Sequence, residues 1–137
     1  MKHSGYLLFL ALCALPSCNN DSGVQPTLLN GAWLSVEQPP GFSIGFVLTT
    51  NGSSISGAGN WTGEAIAGGT VSVVGEFGHG NVSLDLTFKH VVNGVPQEQG
   101  QFVEHFTGAF TSHDDLEGTS TLNGQPSPLH LHRASVP

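Results

Sequence analysis

Along much of the chain, apolar and polar residues alternate with a period of two. Phe42, Ile44, Phe46 and Leu48 interleave with Ser43, Gly45, Val47 and Thr49. Val82, Leu84, Leu86 and Phe88 interleave with Ser83, Asp85, Thr87 and Lys89. Phe102, Glu104, Phe106, Gly108 and Phe110 share one face, opposite Val103, His105, Thr107, Ala109 and Thr111. Leu129 and Leu131 alternate with His130 and His132. Successive side chains of a strand point to opposite faces, so this spacing predicts half-buried strands. Past residue 18, no window shows apolar residues at helical spacing. The pattern predicts eight strands, at 31–37, 42–50, 53–61, 70–77, 81–91, 101–111, 115–122 and 128–134.

The turn residues set an expected register. Asn51-Gly52 carries the signal of a type I′ hairpin. It would pair Thr50 with Ser53, Leu48 with Ile55 and Phe42 with Trp61. A turn over Gly78–Asn81 sets Phe77 opposite Val82 and Val73 opposite Leu86, and one over Ser112–Asp114 sets Phe110 opposite Leu116. The apolar faces match each time, whereas a slip of one residue would send a whole strand to the wrong face. Phe42, Phe46, Phe77, Phe88, Phe102, Phe106 and Phe110 all fall on the inferred inner face. These short turns alternate with longer loops at 38–41, 62–69, 92–100 and 123–127. One end is then tightly closed and the other is a mouth, as in an eight-stranded antiparallel up-and-down barrel. The alternative fold is a β-sandwich. The first strand fits least well. With Trp33 inward, Ser35 and Glu37 also point in while Leu34 and Val36 point out, and a bulge between Trp33 and Leu34 would repair this.

Composition narrows the function. The 137 residues allow one domain, and 3 Lys+Arg stand against 10 Asp+Glu for a net charge of −7. Nucleic acid and anionic headgroups need clustered cations, so neither is an expected partner. The 38% hydrophobic content supports a folded core despite only 9% charged residues. Among 19 glycines, Gly57, Gly59, Gly75, Gly108 and Gly118 have inward parity. They either leave a lumen or kink the strands into a narrow barrel.

The first residues read as an address. Tyr6–Leu15 is an apolar run of 10 residues, too short to span a bilayer, which takes about 20, and suited to a signal-peptide core. Leu15-Pro16-Ser17-Cys18 resembles a bacterial lipobox, with Pro16 departing from the usual small residue. The resemblance implies a signal peptide over 1–17, a lipid on Cys18, a tether through residue 27 and a barrel over 28–137. Ordinary cleavage near Ser17, releasing a free protein, is the alternative. Cys13 leaves with the signal and Cys18 takes the lipid, so no disulfide is expected. Asn19 beside the cysteine implies the outer membrane of a bacterial cell envelope.

Gly31-Ala32-Trp33 opens the first strand and Arg133 lies near the end of the last. Barrel closure pairs those two strands. This resembles the lipocalin, or calycin, signature of a Gly-x-Trp whose indole carries an Arg from the final strand. The resemblance implies a structural Trp33–Arg133 pair at the closed end, and the expected strand register sets Gly118 opposite Arg133, giving the stack space. In size the chain is nearer avidin-like barrels, without a recognisable biotin-site pattern. It has no helix after the last strand, where larger lipocalins carry one. The ending Leu129-His-Leu-His-Arg133 is also similar to that of small Gly-rich bacterial lipoproteins.

The candidate site is the mouth. Glu104 points inward between Phe102 and Phe106, where a carboxylate is costly unless paired or near water. If residue 88 faces 104, His90 and Glu104 are diagonal neighbours. They form either a polar anchor for a ligand or a solvated rim pair. Phe42, Trp61, Phe88 and Phe102 would supply apolar contacts to a small apolar or amphipathic ligand, or would simply close the core. His130-x-His132 has metal-binding spacing but points outward, and no carboxylate completes the set, so no metal or other cofactor is expected. Asp114-Asp115 reads as turn chemistry. No Gly-x-Ser-x-Gly, His-Glu-x-x-His or phosphate loop occurs, and catalysis is not expected. The second functional reading is a structural or protein-interaction lipoprotein with a packed barrel.

Overall fold

Nine strands form in the computed structural model, which describes residues 26–36, 41–63 and 68–135. The expected signal peptide over 1–17, Cys18 and Glu37 lie outside the described residues. The strands are β1 Gly31–Val36, β2 Ser43–Asn51, β3 Ser54–Thr62, β4 Gly69–Gly78, β5 Asn81–Val92, β6 Val95–Pro96, β7 Phe102–Phe110, β8 Asp115–Leu122 and β9 Gln125–Arg133. Every pairing is antiparallel. The order β4-β3-β2-β1-β9-β8-β7-β5, with β4 also paired to β5, closes an eight-stranded up-and-down barrel. β6 is an extra strand. It folds back on the end of β5 through Asn93-Gly94, both at positive φ, inside the stretch expected as a loop at 92–100.

The alternation in the sequence is the alternation in the wall. Seventeen apolar side chains are buried among the described residues, with Phe42, Phe77, Phe102 and Phe110 packed on them. All seven expected phenylalanines therefore turn inward. The inward glycines prove to be kinks. A Cβ on Gly59 would come within 1.9 Å of Gly45 O, and one on Gly118 within 2.1 Å of Thr107 O. Backbones approach this closely only where the strands coil tightly, so these glycines narrow the barrel and do not hollow it.

Several registers differ from expectation by an even number of residues. Asn51 pairs with Ser54, and Thr50 with Ile55, so Ile44 rather than Phe42 faces Trp61. The loop is Gly52–Ser53, where Gly52 alone takes positive φ. That is the type II′ pattern, with glycine at the first central position. The loop expected at 123–127 is the tight turn Asn123-Gly124, both at positive φ. This turn places Gly118 opposite Leu129 and not opposite Arg133. Pro126 and Pro128 are tolerated because the described β1–β9 pairing stops at Val36↔His130, leaving them on an edge stretch. The expected bulge in β1 is absent. Its pairing to β2 runs evenly from Gly31↔Leu48 to Leu34↔Gly45. Leu34 stays half-exposed over Gly45, and Ser35 Oγ accepts a bond from Ile44 N at 2.9 Å.

The sequence shows no helix, yet Pro26–Leu29 forms a 3-10 turn across the expected boundary between tether and barrel. It plugs the closed end by burying Leu29 completely.

Candidate functional site

Two clusters hold the residues singled out in the sequence. At the closed end Arg133 lies directly across from Trp33, with its guanidinium carbon 4.6 Å from the ring centroid. This is cation–π geometry. Arg133 Nη1 donates to Asn30 O at 2.8 Å, and Nη2 donates to Leu28 O. Trp33 Nε1 donates to Leu29 O at 2.8 Å. The space for the guanidinium comes from Gly31, where a Cβ would lie 3.0 Å from Nη1, and not from Gly118. Asp114 holds Arg133 Nε at 3.1 Å. A hydrogen bond from His113 foremost, and the charge of Arg133, keep the Asp114 carboxyl below the usual carboxylate range.

At the mouth, the strand ends bring five of the six expected ligand contacts together. Phe88 and Phe102 are cross-strand partners whose rings stack at 4.7 Å and 9°. Trp61 meets both edge-on, at 6.1 and 6.0 Å. Phe42 lies 5.9 Å from Trp61, and the His90 ring lies 5.2 Å from it. Such offset and edge-to-face arrangements are the favoured ones for aromatic rings. His90 Nδ1 is buried without a hydrogen-bond partner among the described residues.

Glu104 does not join them. Phe88 pairs with Phe102, so Glu104 faces Leu86, and the expected His90–Glu104 diagonal does not form. Stacking one phenylalanine on another across the strands is more favourable than setting a carboxylate against it, and this favours the observed register. Glu104 Oε2 instead accepts from the buried Ser120 Oγ at 2.7 Å.

The outer wall carries a cluster that sequence reasoning missed. His130 Nε2 and His132 Nδ1 each lie 2.8 Å from Asp115 Oδ1, and Ser112 Oγ donates to Asp115 Oδ2 at 2.6 Å. A carboxylate therefore does sit with the two histidines. Hydrogen bonds from Ser112, then His132 and His130, hold the Asp115 carboxyl far below its ordinary pKa. Asp115 also performs the expected turn chemistry, since its carbonyl accepts from Thr111 N at 3.0 Å. The signal for this cluster was the Asn123-Gly124 dipeptide, which fixes how β8 meets β9. An open groove of 480 Å³ beside it is lined by Val36, Glu117, Thr119, Pro128 and His130.

Compared with known proteins, the chain matches no family model, no curated protein and no solved structure.

Proposed function

We propose that this is a lipid-anchored protein of the bacterial envelope whose lipocalin-like barrel binds a small amphipathic ligand at its mouth and does no catalysis. The observation that carries the reading is His90 Nδ1, buried against Trp61 without a partner among the described residues. An unsatisfied buried polar atom costs about 1–3 kcal/mol, and a ligand that supplies the missing hydrogen bond regains it. Phe42 and Phe102, both half-buried, offer ring surface around the Trp61 indole that His90 also contacts. The ligand rests on the aromatic floor; it does not enter a deep lumen, because Phe88, Phe106 and Trp33 fill the barrel below. The anchor reading rests on Leu15-Pro16-Ser17-Cys18.

A second reading, a packed structural or protein-interaction barrel without a ligand, is favoured by the same filled interior. Native mass spectrometry of the full chain from envelope extracts, with solvent extraction of bound material, separates the two. A reproducible adduct that shifts Trp61 fluorescence and is lost in His90→Phe supports the mouth site. A clean apo mass, with no response of Trp61 to a panel of aromatic and acyl compounds, selects the packed barrel.

A further inference from the structure

We propose that the outer wall of the β8–β9 hairpin is a binding site for a divalent transition-metal ion such as zinc, nickel or copper. The turn at Asn123-Gly124 fixes Asp115↔His132 and Glu117↔His130 as direct partners. Leu116, Leu129 and Leu131 turn inward and are buried, so alternation puts both carboxylates and both imidazoles on the outside, two by two. Arg133 N donates to Asp114 O at 2.8 Å, which makes that pair a hydrogen-bonded one. The next pairs along, 115/132 and 117/130, are then of the non-hydrogen-bonded kind, in which opposing side chains come closest.

Three of the four donors are already in touch, while Glu117 Oε1 accepts from Thr111 Oγ1 at 3.4 Å. Asp115 Oδ1 is 2.8 Å from a nitrogen of each ring. The hydroxyl of Ser112 on Oδ2 orients the carboxylate from behind, as outer partners of metal ligands do. Among the described residues no group of three such donors is arranged to hold an ion; the carboxylate oxygen bridges the two imidazoles itself. In a tetrahedral site with bonds of about 2.0–2.1 Å, neighbouring donors stand about 3.3 Å apart. Each Asp115–imidazole contact has to open by about half an ångström, and the two ring nitrogens bridged by Oδ1 have to swing towards a common point, to admit an ion. The side chains can turn to do so, since those of His132, His130 and Asp115 are 49%, 29% and 28% exposed. Two imidazoles with two carboxylates suit zinc, nickel or copper(II), whereas calcium and magnesium take oxygen ligands alone. The two carboxylate charges also balance the ion.

The test uses the full chain with Cys13→Ser and Cys18→Ser, which removes competing thiols. Titration with cobalt(II), followed by its d–d absorption, and with zinc(II), followed by calorimetry, should show one saturable site. His130→Asn with His132→Asn should weaken binding at least about tenfold, and Glu117→Gln should weaken it several-fold. His105→Asn, beside Asp85 on another part of the wall, should change nothing. Circular dichroism verifies that each outward-facing variant keeps its strands. Absence of saturable binding, or unchanged affinity in the double variant, overturns the proposal.

Discussion

Trp33 and Trp61 sit at opposite ends of one barrel, both buried, in contrasting surroundings. The Trp33 indole donates to Leu29 O at 2.8 Å, carries Arg133 on its face and meets the edge of Phe110 at 6.0 Å. The polar groups around it are hydrogen-bonded into the chain entering the barrel. The Trp61 indole makes a longer bond, 3.3 Å to Lys89 O, and stands among Phe42, Phe88, Phe102 and His90, whose Nδ1 has no partner among the described residues. One end is saturated and holds the fold together. The other keeps an unmade hydrogen bond, the kind of local deficit that a binding site retains.

The largest expected effect is at the saturated end. Trp33→Ala should cost about 3–5 kcal/mol in urea or thermal unfolding, since it empties a fully buried site and strands Arg133. A loss below about 1 kcal/mol would erase the contrast between the ends. Gly59→Ala tests the wall between them. Its Cβ would strike Gly45 O, with a loss of about 1–3 kcal/mol and displaced β2–β3 resonances. Asn30 Oδ1 accepts from Thr50 N at 2.7 Å and from Thr50 Oγ1 at 2.9 Å. Asn30→Ala should cost about 0.5–1.5 kcal/mol, measured by hydrogen exchange at the end of β2. The smallest effect belongs to the mouth. His90→Phe should leave stability within about 0.5 kcal/mol or raise it, because it removes a buried polar atom that has no partner among the described residues. A loss above about 2 kcal/mol would mean that His90 is structural and that the mouth is as saturated as the closed end.

How much was legible follows from what alternation encodes. A period of two reports which face a side chain takes, and a slip of one residue reverses every face. Slips of two or four leave every face as it was. The pattern therefore gave the eight wall strands and the inward phenylalanines, while the meeting of Trp33 with Arg133 came from barrel closure and the lipocalin resemblance. It could not separate Thr50↔Ile55 from Thr50↔Ser53, Phe88↔Phe102 from Phe88↔Glu104, or Gly118↔Leu129 from Gly118↔Arg133. Register at that resolution lives in the turns. Asn93-Gly94 and Asn123-Gly124 carry the same dipeptide as Asn51-Gly52, and at both of these both residues take positive φ. Weighing those two would have shown β6 and would have set Asp115 beside His132. The Pro26–Leu29 turn was invisible for another reason. Four residues hold no periodicity, and their conformation depends on Arg133 and Trp33, which bind their carbonyls from more than 100 and from 4 residues away respectively.

That docked turn has a topographic consequence. The chain enters the barrel at Leu28–Asn30, bound to Arg133 at the end opposite the aromatic mouth. Seven residues separate Cys18 from Pro26, and fully extended they reach about 25–30 Å. If Cys18 carries a lipid, the closed end rides close to the bilayer that holds it and the mouth opens away from that bilayer. A ligand would then be gathered from the water or the facing surface, not drawn up from the leaflet in which the protein is anchored.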